Sequence, residues 1–274
     1  MKETGWSYIC SSVIGSKHTQ SGLPCQDASD CKLVKLTDDT EVLIAIASDG
    51  AGSAQYALAG SATACTSFIS RVRASLDEWN HLSFLTASYI KEWVASFQSE
   101  IKTIAEQNDA SARDYACTFV AAVIGKEQGV FAQIGDGGIV VLKSGSTDTY
   151  QTVFWPQEGE YANQTNFLTD NKAEENLMFE VFEGSTQEVA IFTDGMQSLV
   201  LNEESKTAHS PFFRPIFAAL RKAEGGCAVV LQNSMVDYLL SQRVTERTDD
   251  DKTLIFATRF KDQTDELIDN TNGA

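Results

Sequence analysis

Val42-Leu43-Ile44-Ala45-Ile46-Ala47-Ser48-Asp49-Gly50-Ala51-Gly52-Ser53 opens with an unbroken apolar run and then breaks into small and acidic residues. A short β-rich run with no alternating polar position reads as a strand buried on both faces. Such a strand belongs in the middle of a packed sheet, so Asp49 leaves the core at a fixed place. Working outward, residues 5–13 and 31–36 read as further strands, separated by Gly, Pro, Asp and Ser. Residues 54–76 and 84–108 carry apolar residues at helical spacing and are expected to be two long helices.

Strands are expected again at 116–125, 129–134 and 138–143, joined as a β-meander by glycine-rich turns. Residues 144–176 are polar, contain Pro156, and read as a loop or flap with a strand near 149–154. Strands at 177–183 and 188–193, helices at 212–224 and 227–243, and a last strand at 253–259 complete the pattern. Strands interleaved with helix pairs, without strict βαβ alternation, argue for an α+β protein with antiparallel sheets and helices on outer faces. With no linker-like cluster of Pro and Gly, residues 1–261 are expected to form one domain, and the polar residues 262–274 a disordered tail.

Lys and Arg number 21 against 38 Asp and Glu, a net charge of −17. That sign argues against nucleic acid and against anionic membranes as partners. The six cysteines show no CxxC pair and no zinc-ligand spacing with His18, His81 and His209. Several lie inside apolar runs, as buried free thiols do, and the N-terminus lacks an apolar signal core, so a reducing, cytoplasmic setting is expected.

Four aspartates stand at element edges: Asp27 after Pro24-Cys25-Gln26, Asp49 and Asp194 each ending an apolar strand before Gly, and Asp250 before the last strand. Each Asp-Gly taken singly is as readily a turn. Gathered on strand ends, however, carboxylates repel one another unless a cation lies between them, and hard oxygen donors favour Mg²⁺ or Mn²⁺ over zinc or copper. Paired ions of this kind activate water against phosphoesters. Gly135-Asp136-Gly137-Gly138 precedes a strand rather than a helix, so Asp136 reads as a turn residue of a tight hairpin.

Taken in order, Gly15-Ser16-Lys17-His18 with Pro24-Cys25-Gln26-Asp27-Ala28, then Ser48-Asp49-Gly50-Ala51-Gly52, Gly135-Asp136-Gly137-Gly138, Thr193-Asp194-Gly195-Met196 and Asp250-Asp251-Lys252-Thr253 resemble the metal-dependent protein serine/threonine phosphatases of type 2C. The resemblance spans about residues 5–260 and is to the divergent bacterial branch. It implies a central antiparallel β-sandwich flanked by pairs of helices, in α-β-β-α layers, with two Mn²⁺ or Mg²⁺ ions in a cleft at one end. By the same resemblance Asp49 bridges both ions, the Gly50 carbonyl binds one, and Asp194 and Asp250 bind the other. Asp27 supports the site directly or through water, and Asp114 resembles in position an acidic residue that holds a weaker third ion. The implied substrate is a protein phosphorylated by a serine/threonine kinase.

The chain departs from the family pattern at Gln26, where a Glu is usual, and in lacking the upstream phosphate-binding arginine. Lys17 and His18 are the positive candidates for substrate phosphate, and His18 joins Asp27 and Asp49 as a catalytic candidate. A surface loop histidine is the competing reading of His18. Ala51 replaces a histidine that some members carry, leaving protonation of the leaving group to water. Two alternatives stay open: a catalytically weak relative that binds a phosphorylated partner, and a small-molecule phosphatase whose selectivity the 144–176 flap sets. Oligomeric state is not legible in the sequence.

Overall fold

The computed structural model describes residues 5–145, 149–157 and 165–259. The first half runs β1 (Trp6–Val13), α1 (Ser16–Ser21), β2 (Ala28–Lys35), β3 (Glu41–Ser48), α2 (Ala57–Trp79), α3 (Ala87–Gln107), a 3-10 turn (Ala112–Tyr115), β4 (Phe119–Ile124), β5 (Gln128–Ile134) and β6 (Gly138–Lys143). The second runs β7 (Gln151–Thr152), β8 (Met178–Glu183), β9 (Thr186–Phe192), a 3-10 turn (Asp194–Met196), α4 (Gln197–Val200), β10 (Leu201–Asn202) and β11 (Thr207–Ala208). It ends with α5 (Ser210–Leu220), β12 (Gly226–Cys227), α6 (Val229–Leu240), α7 (Gln242–Thr245) and β13 (Lys252–Arg259).

Two sheets result, one ordered β12-β1-β13-β9-β6-β7 and the other β2-β3-β4-β5-β8, with β10 and β11 as a separate ribbon. Both are antiparallel except where β12 joins β1. The run read first behaves as its composition requires. Val42, Ile44 and Ile46 of β3 pack among Phe68, Val72, Trp93 and Phe97 of α2 and α3. Leu43, Ala45 and Ala47, pointing the other way, pack against Ile139, Ile191 and Ile255 of the opposite sheet. Each large aliphatic side chain taken fully from water contributes about 1.5–3 kcal/mol, so the register of β3 is held from both faces.

The opposite sheet repeats the arrangement. Ile255 and Ala257 of β13 face the other sheet, while Leu254 and Phe256 face Phe213, Phe217 and Leu239 of α5 and α6. Helix pair, sheet, sheet and helix pair therefore stack as four layers, the α-β-β-α arrangement that the resemblance implied. Among the described residues no helix is long and apolar enough to cross a membrane, and all six cysteines are free.

Two local expectations need correction. The segments 116–125, 129–134 and 138–143 do not form a meander: β4 and β5 pair with each other, but β6 lies in the other sheet beside β9. Gly135–Gly137 is thus a sheet-switching turn rather than a hairpin. It has to be narrow: Gly135 sits at φ +107°, and a Cβ on Gly137 would come 2.6 Å from the Val120 side chain. The second correction concerns 144–176, read as a polar flap. Among the described residues there, only Gln151–Thr152 is strand, and Leu168 and Ala173 are fully buried in the core beneath α2 and α3. The Gln98 amide of α3 donates to the Leu168 and Asp170 carbonyls at 2.8 and 2.9 Å, which anchors that part of the loop. The tail expected from 262 lies outside the described residues. The helix α1 was not anticipated.

Candidate metal centre

Strand register gathers the aspartates. Asp27 precedes β2 and Asp49 follows β3, and the pairing of Ala28 with Ser48 sets those strand ends side by side. In the other sheet Phe192 pairs with Gly138 on one flank and Leu254 on the other. Asp136, Asp194 and Asp250 therefore leave adjoining ends at the same edge of the sandwich.

One carboxylate oxygen from each of Asp49, Asp136 and Asp194 lies within 4.8 Å of the others. Asp27 is 4% exposed and close enough for its charge to raise Asp49. Its Oδ2 accepts hydrogen bonds from the hydroxyls of Thr193 at 2.8 Å and Thr253 at 2.7 Å, while its Oδ1 is buried with no hydrogen-bond partner among the described residues. The Asp49 backbone is clamped by Thr118, whose hydroxyl accepts from Asp49 N at 2.9 Å and whose N–H donates to Asp49 O at 2.8 Å. Gly50 follows in a space where a Cβ would come 2.7 Å from the Gln26 and Ala57 carbonyls, so only glycine fits.

Burial and mutual repulsion push these carboxyls upward. Asp27 rises from the ordinary 3.8 to about 7, chiefly through burial, against the pull of the two threonine hydroxyls. Asp49 is driven well above the usual carboxylate range by burial and then by the charges of Asp27 and Asp194. Asp194 rises to about 6 through burial and then Asp136, and Asp136 also rises through burial, with Asp250 adding repulsion. A polar atom buried without a partner and several carboxylates held in mutual repulsion are what a cation would relieve. The donors are all oxygen, which suits a hard divalent ion such as Mg²⁺ or Mn²⁺.

The profile of the Protein phosphatase 2C family matches residues 14–240. The chain belongs to the protein phosphatase 2C family. Serine/threonine-protein phosphatase 3 of Escherichia coli (strain K12) is 34% identical over 253 residues, covering 92% of this chain and 98% of that protein. Among solved structures, Stp1 from Staphylococcus aureus, a serine/threonine phosphatase, superposes with a TM-score of 0.58 at 14% identity, over 94% of this chain and 97% of that one. The catalytic domain of the serine/threonine protein phosphatase PstP, solved with two manganese ions, gives 0.59 at 15% identity over 94% and 100%. At those identities the two structures speak for the shared fold.

Within this protein phosphatase 2C chain the residues singled out from sequence fall into three groups. Asp49 and Asp194 meet as expected from their strands, and Asp27 and Asp250 lie close enough to raise their neighbours' pKa values. Asp136, read as a turn residue, is corrected to a member of the cluster, because the turn that carries it switches sheets. Its three flanking glycines were the available signal. Asp114 does not join them: its carboxylate turns back to accept from Ser111 N at 2.9 Å and Ser111 Oγ at 2.7 Å, closing a capping box on the 3-10 turn.

His18 and Lys17 also part from expectation. His18 is neither an open phosphate ligand nor a loop histidine in solvent: it is 5% exposed, and its Nδ1 lies 2.9 Å from Asp251 Oδ2. Lys17 is exposed on α1. Asp251, not singled out from sequence, is 2% exposed and also accepts from Gly15 N and Gln26 N, each at 2.6 Å.

Proposed function

We propose that this chain is a metal-dependent phosphatase of phosphoserine and phosphothreonine in proteins, acting with two Mn²⁺ or Mg²⁺ ions. Asp49, Asp194, Asp250, Asp27 and the Gly50 carbonyl would hold the ions, with Asp136 added to that set. The carrying observation is the meeting of Asp49, Asp136 and Asp194 within 4.8 Å at the end of the sandwich. Such ions, when bound, supply positive charge that lowers the pKa of water and offsets charge on a phosphoryl group. The chain's own part is to orient the carboxylates: Thr118 fixes Asp49, and Thr193 and Thr253 fix Asp27. The E. coli relative, named as a serine/threonine-protein phosphatase, supports the substrate class. We assign its substrates to a serine/threonine kinase in a bacterial signalling role, and its place to the cytoplasm, in keeping with six free thiols.

The test is hydrolysis of an aryl phosphate and of a phosphopeptide with and without Mn²⁺. Turnover should require the ion, favour the phosphopeptide over free phosphoserine, and fall about a thousandfold, equivalent to about 4 kcal/mol, in Asp49→Ala and Asp194→Ala. Turnover that survives chelation removes the ions from the reaction. Metal binding without turnover would favour a weak relative that only binds phosphorylated partners, and a preference for free phosphoserine would favour a small-molecule phosphatase.

A further inference from the structure

The segment Gly15–His18 and the segment Asp249–Lys252 are far apart in sequence and pressed together in space. Gly15 lies so close to the Asp249 and Asp250 backbone that no Cβ could be placed there. Lys17 N donates to Asp249 O at 3.0 Å, and the buried Lys252 Nζ donates to Ile14 O at 3.3 Å. At the centre is the Asp251 carboxylate. Its Oδ1 accepts from Gly15 N at 2.6 Å, and its Oδ2 accepts from both His18 Nδ1 at 2.9 Å and Gln26 N at 2.6 Å. With both oxygens facing donors, the carboxylate is matched to its surroundings, and an ionised acceptor strengthens each bond. It also requires the proton of the imidazole to sit on Nδ1.

Two of the aspartates proposed to hold the ions hang directly on this knot. Asp250 precedes Asp251, and Asp27 follows Gln26, whose carbonyl in turn accepts from Ser61 Oγ of α2 at 2.6 Å. The same Gln26 carbonyl is the wall against which Gly50 packs. The Gln26 peptide is therefore held on one side by Asp251 and on the other by α2, with Asp27 and Gly50 placed by the result.

We propose that His18 and Asp251 are positioning residues whose buried hydrogen bond sets the spacing of Asp27 and Asp250, and through it the affinity of the site for divalent ions. The inference rests on the metal-dependent reading above. His18 acts through Asp251 and does not touch substrate, which replaces the phosphate-binding role read from its place in the sequence. A phosphate ligand needs an open edge, and this ring is buried with one nitrogen committed.

The experiment uses the full chain as wild type, His18→Ala and His18→Asn. Mn²⁺ alone is titrated and followed by electron paramagnetic resonance of the free ion, beside steady-state kinetics on an aryl phosphate and a melting curve. Loss of a group that orients a metal ligand typically weakens binding or activity about 10–100-fold, and His18→Ala should weaken Mn²⁺ by that factor and lower kcat with KM unchanged. The Asn amide nitrogen falls close to the place of Nδ1, so His18→Asn should recover most of both. Equal Mn²⁺ affinity in wild type and His18→Ala overturns the proposal, even if the melting temperature falls. A raised KM with kcat unchanged, not rescued by Asn, overturns it in favour of a phosphate ligand. If His18→Ala does not fold, His18→Gln takes its place, its amide nitrogen falling near Nε2 and leaving Asp251 without the Nδ1 donor: weakened Mn²⁺ affinity there beside near wild-type affinity in His18→Asn supports the inference, and equal affinity in all three proteins overturns it. Wild type that binds Mn²⁺ but hydrolyses no phosphoester sinks the functional reading and leaves the Mn²⁺ comparison to judge the positioning role.

Discussion

Replacing Asp27 by Asn should make the metal-free protein more stable while impairing its function. The Asp27 carboxyl is raised from 3.8 to about 7, so its proton binds the folded state more tightly than the unfolded one. The stability associated with that proton is complete below pH 4 and is lost as the pH rises through about 7. At about 1.4 kcal/mol for each tenfold change in proton affinity, the full swing is about 4 kcal/mol. Asparagine keeps an oxygen for the Thr193 and Thr253 hydroxyls and never ionises. With chelator present, the advantage of Asp27→Asn over wild type should grow from about 1–2 kcal/mol at pH 5 to about 4 kcal/mol at pH 8. For a chain of this size that corresponds to about 8–16 °C in melting temperature at pH 8. Differential scanning calorimetry at the two pH values provides the measurement. Saturating Mn²⁺ should narrow or reverse the difference, since a ligand at a hundredfold its Kd adds about 2.7 kcal/mol to the protein that binds it. An Asp27→Asn variant that melts at or below wild type at pH 8 without metal refutes the reasoning, because ionising the buried carboxyl would then cost the wild-type fold little.

Asp136→Asn should weaken Mn²⁺ binding several-fold and, because it removes a carboxyl whose pKa burial has raised, should raise the melting temperature of the metal-free protein at neutral pH, which a calorimetric titration and a melting curve read; unchanged affinity would return Asp136 to a turn residue. Asp114→Ala should leave Mn²⁺ affinity and turnover as in wild type, because that carboxylate caps its own 3-10 turn at Ser111; a fall in Mn²⁺ affinity would place it in the metal site after all. Asp194 adds its own pH dependence, with a value near 6, so the metal-free Asp27→Asn protein should still lose stability between about pH 4 and pH 6, and a flat profile would contradict the upward shift of Asp194.

What could be read along the chain was whatever depends on composition over a few neighbouring residues. The six apolar residues Val42–Ala47 announce a strand covered on both faces, and so one in the middle of a packed sheet. The Asp-Gly steps at Asp49 and Asp194 announce strand ends rich in carboxylates. Both are local consequences of hydrophobic patterning and of the backbone freedom of glycine. The pairing partners of each strand are not local, and there the reading failed. Asp136 looks like a hairpin corner until β6 is found in the opposite sheet, and residues near Leu168 look like a solvated flap until α3 is seen to cover them. His18 looks like a free cation because the carboxylate that binds it comes more than 200 residues later. Sequence determined which chemical groups would stand at the ends of elements; only the tertiary structure decided which of those ends meet, because distance along a chain carries no information about the sheet into which the next strand is laid.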